Sequence, residues 1–435
     1  MVRSLIADSV TKVAIIGAGP AGATLGALLA RKGASVAMFD DGMRPPLIVG
    51  ESLIPQMIPI FRQLGIEQKI ADIGVYKPGV LVTFSEDDEL LLSFAAARGV
   101  LPTYAYNVPR KEFDDILLGT AIDSGVRYLP SAAKFHSENP SSAEDARVLL
   151  ADETLARVPE WHGQPDLVID ASGRRRLFAK MLGIKAEAGK RKDVSHFAHF
   201  ENVPWPEPKG SVMTIRMKYG WAWRIPLPGP KVSIGVVLNK EDAKRFGSSP
   251  EEQLDNIIAS EARLSSDCPQ RRRVTQVATF ANYQLISEYG SGSNWAMVGD
   301  AYGFVDPMLS PGLCMAMLSA GKLADAIPAR LDADERNSPE QLKKYWMWFR
   351  ENLGAWQNLI DHFYDGRIFA ITRTGQDMSK RYPGFLMSVM ERHIEKNLSG
   401  MATGAFINRP YSRWLLSMLA THGIRGHNPE DFAVR

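Results

Sequence analysis

Three glycines near the start, Gly17, Gly19 and Gly22 in GAGPAG, stand between a short apolar run and an apolar helical stretch. Residues 12–17 read as a buried strand of the parallel kind, about 20–32 as a helix, and 35–40 (SVAMFD) as a second buried strand. The spacing has a physical logic. The first glycine permits a tight turn, the second lets backbone approach a diphosphate, and the third lets helix pack close against strand. The helix begins at Pro20 and Ala21, where first-turn N–H groups point outward toward an anion. Asp40 ends the second strand with an acceptor suited to a ribose. Val13 to Ala30 carries no charge and so imitates a leader or a membrane span. Gly17, Gly19, Pro20 and Gly22 would break such a helix early, so strand, turn and helix is the reading.

At 435 residues and 45% hydrophobic, the chain is too long for one typical domain, and two interleaved domains are expected. Lys and Arg total 51 against 49 Asp and Glu, a net charge of +2, which gives no basis for a nucleic-acid partner. No second uncharged run is long enough for a membrane span. Cys268 and Cys314 are the only cysteines, so no disulfide framework is expected and a cytoplasmic location fits. The eight histidines show no ligand spacing, and no metal is expected.

Residues 54–73 look partly helical, with Pro59 kinking or delaying that helix, and 111–125 form an amphipathic helix. An exposed loop is expected near 137–146. Residues 195–240 alternate like strands and predict an antiparallel sheet. Residues 295–307 return to a strand and turn, a helix follows from about 312 to 328, and 339–435 are mainly helix and loop. The expected fold is α/β. A Rossmann-like FAD-binding domain (1–75, 105–185 and 275–335) is interleaved with an antiparallel-sheet substrate domain (76–104 and 186–274), and a helical region covers 336–435.

The cofactor assignment rests on two further motifs. DASG at 170–173 and GD at 299–300 each end an apolar strand. With GAGPAG they resemble the three fingerprints of the class A flavoprotein monooxygenases. That resemblance implies FAD, with Asp170, Gly299 and Asp300 at the cofactor and Asp300 on its ribityl chain. Arg110, in NVPRKEFDDILL, stands where the family places an arginine beside the flavin.

Three more segments narrow the likeness. WAWRIP at 221–226 matches W-x-W-x-I-P, and FVDPMLSPG at 304–312 is similar to F-x-x-P-x-x-S-x-G. Lys77, in VYKPG, follows GESLIP at 50–55. Together they resemble the flavin-dependent halogenases of secondary-metabolite biosynthesis, from about residue 10 to about 370. The resemblance implies that FADH2 from a separate flavin reductase reacts with O2, and that a halide, chloride or bromide, becomes hypohalous acid. The acid reaches Lys77 through a tunnel and halogenates an electron-rich aromatic. Glu51, Ser52, Pro307 and Gly312 are then expected at the cofactor. Ser310, Pro311, Gly312 and Leu313 are expected at the halide, and Trp221, Trp223, Ile225 and Pro226 between flavin and substrate. A lysine in a partly apolar site has a lowered pKa and serves as donor or nucleophile. Two indoles at i and i+2 share one strand face and can bar organic molecules from the flavin.

Two positions depart from the pattern. Leu309 stands where tryptophan halogenases carry a glutamate, which favours a phenol or pyrrole, free or tethered to a carrier protein. Pro311 lacks the N–H that the family's Ser or Thr offers the halide, leaving Gly312 and the helix start to hold it. The alternative is a flavin hydroxylase or reductase related to the geranylgeranyl reductases, which does not halogenate; a flavin-binding scaffold without turnover is a third reading. The aromatics Tyr345, Trp346, Trp348, Trp356, Phe363 and Tyr364 recur at helical spacing and read mainly as core, and the pair Asp361 and His362 reads as structural. Oligomeric state is not readable.

Overall fold

The computed structural model describes residues 9–434, apart from 86–87, 98, 100, 139–141, 267, 282–283, 329 and 332–338. The N-terminal pattern folds as its glycines dictate. Lys12–Ile16 is a buried strand, Pro20–Arg31 a helix and Ser35–Phe39 the next strand. They enter a five-stranded sheet in the order Trp295–Met297, Leu167–Asp170, Lys12–Ile16, Ser35–Phe39, Arg127–Leu129. Every pairing in it is parallel. Chain order reverses beside Lys12–Ile16, which opens a crevice past the carboxyl ends of the strands. Helices Arg110–Asp123 and Pro311–Ala326 pack against Pro20–Arg31.

The second sheet has eight strands and is mainly antiparallel. Asp193–Glu201, Val232–Asn239, Gly220–Pro226 and Val212–Met217 pair in that order, and Val212–Met217 then joins Gly79–Thr83 in parallel. Ala278–Ala281 also pairs with Asp193–Glu201, so this sheet reaches past residue 274. The boundary expected at 335 falls outside the described residues. Gly220–Pro226 is buried along its whole length. Trp221, Trp223 and Ile225 face the main core, and Ala222 faces a second core under helix Pro250–Ser260.

The carboxyl-side region is helical: Pro339–Tyr364, Arg367–Arg381, Phe385–Ala402 and Pro410–Met418. The loop expected at 137–146 is shorter. Phe135–Glu138 and Arg147–Leu150 pair as antiparallel strands, and Ala146 is buried with its carbonyl satisfied by Ser293 and Trp295. Residues 139–141 of that loop lie outside the described residues. Among the described residues no helix is long and apolar enough to cross a membrane.

Candidate functional site

The crevice holds a cavity of about 260 Å³. Gly19, Pro20 and Ala21 line it after the first strand, Ala171, Gly173 and Arg174 after Leu167–Asp170, and Val298 and Asp300 after Trp295–Met297. The glycine turn is tight for a steric reason. A Cβ on Gly17, whose φ is +114°, would lie 2.4 Å from the Ala171 carbonyl oxygen, and one on Gly22 would lie 2.0 Å from that of Gly17. A Cβ on Gly19 would meet nothing within 4 Å, so backbone there faces open space. Close packing at Gly17 and Gly22 with clearance at Gly19 is what a bound diphosphate requires, and the site fits FAD.

Asp40 and Asp170 do not line the cavity, and their carboxylates are committed to the backbone. Asp40 accepts from Ala18 N at 2.6 Å and Gly42 N at 2.7 Å, and Arg44 pairs with it at 2.9 Å. Asp170 accepts from Ser172 N at 2.9 Å and Phe178 N at 2.8 Å. Both shape turns. Gly299, with φ +60°, allows close approach, since a Cβ there would lie 2.9 Å from Ala21 Cβ. Asp300 does line the cavity, and burial pushes its carboxyl up to about 6 against the opposing pull of Arg174 and Arg110. Arg110 also lines it, held by a bidentate pair to Asp114 at 3.1 Å and a bond to the Val49 carbonyl. Arg174, absent from the motif reading, lies directly after DASG, and its guanidinium covers the Phe304 ring at 4.7 Å.

Glu51 and Ser52 form another part of the wall. Glu51 is buried and bonds His199 Nε2 at 2.5 Å, a partner 148 residues away. Ser52 Oγ accepts from Lys77 Nζ at 2.7 Å, and the Leu53 carbonyl accepts from the same amine at 2.9 Å. Lys77 is fully buried and is not among the lining residues; burial lowers its pKa from 10.5 to about 7. Ser52 therefore separates the cavity from the lysine and touches both.

Trp221, Trp223 and Ile225 line the cavity from the second sheet, whereas Pro226, the end of that strand, does not. The two indoles are 5.6 Å apart and tilted by 45°. Trp223 Nε1 donates to Ser233 Oγ at 3.2 Å. Trp221 Nε1 donates to Tyr364 Oη at 2.9 Å, and Tyr364 donates in turn to Asp306 Oδ2 at 2.9 Å. Burial pushes Asp306 up to about 7, opposed by the Met308 N–H and the Tyr364 hydroxyl. Asp306 belongs to FVDPMLSPG, so this chain ties one indole to that loop. Replacing Tyr364 by phenylalanine strands an indole N–H and one carboxyl oxygen of Asp306 in the interior. The expected loss of about 2–3 kcal/mol is read as a lower denaturation midpoint. Release of the Trp221 plane is expected to raise peroxide formed per reduced nicotinamide consumed.

Pro307, Leu309, Ser310, Gly312 and Leu313 line the cavity at the start of helix Pro311–Ala326. Leu309 and Ser310 have φ of 64° and 62°, two successive left-handed residues without a glycine. Pro311 is buried, does not line the cavity, and takes the first helical turn, where a missing N–H costs least. Of the four residues expected at the halide, three reach the cavity.

Residues 91–367 match the tryptophan halogenase family. The chain belongs to that family. It is 29% identical over 368 residues to a tryptophan 2-halogenase of Chondromyces crocatus, covering 82% of this chain and 68% of that protein. It is 28% identical over 371 residues to a 1H-pyrrole-2-carbonyl-[peptidyl-carrier protein] brominase of Pseudoalteromonas luteoviolacea, covering 82% and 86% respectively. The structure of the flavin-dependent brominase Bmp2 superposes with a TM-score of 0.69 at 22% identity over 97% of each chain, a likeness of fold. As a family member the chain is a flavin-dependent enzyme of the oxidoreductase type, with FADH2, O2 and halide as cofactor and co-substrates. Halogenation is favoured over the non-halogenating hydroxylase or reductase.

Proposed function

We propose that this enzyme halogenates an electron-rich aromatic, a phenol or pyrrole presented free or on a carrier protein, at Lys77. The observation that carries this reading is the position of Lys77, buried behind Ser52, which lines the dinucleotide cavity. FAD, when bound and reduced by a separate flavin reductase, supplies with O2 the oxidation of halide to hypohalous acid. Gly19 to Ala21, Arg110, Arg174 and Asp300 would hold that cofactor, and Ser310, Gly312 and Leu313 the halide.

The protein's own groups then do three things. Trp221 and Trp223 keep organic molecules out of the cavity, so the anion is oxidised in their place. Ser52 marks the passage toward the lysine. Lys77, with a pKa brought down to about 7, exists as amine and ammonium together near neutrality. The amine spends its two N–H bonds on Ser52 and Leu53 and leaves its lone pair for the halogen; the ammonium offers a third N–H. In the net step an aromatic C–H and HOX give a C–X bond and water. Leu309 offers no carboxylate as a general base, and an activated phenol or pyrrole needs little help. The pyrrolyl-carrier brominase, 86% of which is matched, supports a tethered substrate. The buried thiols Cys268 and Cys314 suit a reducing cytoplasm.

Mass spectrometry of products tests this. Phenols and pyrroles, free and as carrier thioesters, are incubated with a flavin reductase, FAD, reduced nicotinamide, air and bromide. A bromine isotope doublet is expected in the product. A product that carries hydroxyl instead and forms equally well without bromide overturns the reading.

A further inference from the structure

Strand Glu89–Ser93 pairs with Gly79–Thr83, and the chain then turns into the short helix Phe94–Ala97. Phe94 N donates to the Pro78 carbonyl at 3.0 Å, which fixes this turn beside the residue after Lys77. The result is an aromatic ring at the amine: Lys77 Nζ lies 5.2 Å from the centroid of the Phe94 ring, and both side chains are buried. Ser52 and Leu53 take up two directions around the nitrogen, and the ring stands near a third. Helix Phe385–Ala402 packs against Phe94–Ala97 and against Glu89–Ser93 from outside.

Resting on the halogenase reading above, we propose that Phe94 occupies the place where the substrate ring meets the halogen held at Lys77, and that this residue sets which rings are accepted. Residue type agrees with position. A halogen poised on the amine attacks rings in proportion to their electron density. A phenyl group is weakly activated and survives there, whereas a phenol at the same place would itself be substituted. An incoming phenol or pyrrole must displace or stack on Phe94, so ring size is read against that side chain.

The residue can be made to report its own position. Phe94→Tyr places a phenol beside the amine. The full-length variant, given flavin reductase, FAD, reduced nicotinamide, air and bromide but no added substrate, is expected to gain bromine at residue 94 by peptide mass spectrometry. The step exchanges an aromatic C–H and hypobromous acid for a C–Br bond and water. Held proximity predicts labelling at least roughly tenfold above that of exposed Tyr382 and Tyr411 in the same molecules. The label should vanish when Lys77→Ala is added. Label spread evenly over the exposed tyrosines overturns the proposal, as does an unlabelled residue 94 while an added phenol or pyrrole is brominated. If nothing at all is brominated, the halogenase reading falls and takes this one with it. Phe94→Leu gives a second readout with the apolar fill retained. It is expected to shift relative kcat/KM toward a two-ring over a one-ring substrate by about tenfold; an unchanged ratio counts against the assignment.

Discussion

Lys77→Met yields a protein that binds FAD, consumes O2 with a flavin reductase, forms no halogenated product, and is more stable than the wild type. The first three outcomes follow from geometry. The amine lies behind Ser52 and lines no part of the cavity, so its loss leaves the cradle of Gly19, Arg110 and Asp300 intact. The fourth follows from the cost of a buried cation. The folded lysine titrates near 7 and the unfolded one near 10.5, so the unfolded chain binds more protons between those values. The penalty is therefore fully present below pH 7 and fades only as pH rises toward 10.5. At about 1.4 kcal/mol per unit it is on the order of 3–5 kcal/mol near neutrality. Methionine has similar length, fills the space and removes the charge, while leaving the Ser52 hydroxyl and the Leu53 carbonyl without that donor takes back about 1–3 kcal/mol of the gain. Denaturation midpoints from pH 6 to 10 check this: the wild type should climb toward the variant as pH rises. A variant less stable at pH 7, or one that still halogenates, would sink the assignment.

Gly22→Val abolishes FAD binding and lowers stability, while Gly19→Ala impairs binding alone. At Gly22 the first added carbon would sit 2.0 Å from the Gly17 carbonyl oxygen and 3.1 Å from Ala171 Cβ, so strand, turn and helix must part. A loss of at least about 3 kcal/mol in the flavin-free protein and roughly a hundredfold or more in FAD affinity is expected. At Gly19 the methyl group projects into free space, so the flavin-free protein should melt as the wild type does. Flavin fluorescence titration and thermal melts of the apo forms separate the two effects. Equal loss of stability in both variants would place the diphosphate elsewhere.

These contrasts explain what the sequence made legible. The glycine turn was readable because its constraints are local: strand, three glycines and helix lie within twenty residues of one another. Trp221 and Trp223 were readable as a same-face pair because strand side chains alternate. Acidic residues at strand ends were harder. Asp40, Asp170 and Asp300 all look like ligand groups in sequence, yet the first two accept from turn amides while Asp300 lines the cavity, and nothing in the local pattern separates them. Long-range partners left no signal at all. Trp221 meets Tyr364 across 143 positions and Glu51 meets His199 across 148, contacts that only the packed sheets create. Arg174 could have been found, since it immediately follows DASG, but the motif ends one residue before it. Pro311 looks like damage to an anion site; in three dimensions it is an ordinary first-turn proline beside two left-handed residues.

The placement of Ser52 between cavity and lysine has an evolutionary consequence. If, as proposed, oxidant is made on one side of Ser52 and used on the other, mutations that reshape the acceptor side need not disturb the generator. New ring systems can be recruited through changes around residue 94 and the carboxyl-side helices. The dinucleotide half, where Gly17 and Gly22 admit no side chain, stays as it is.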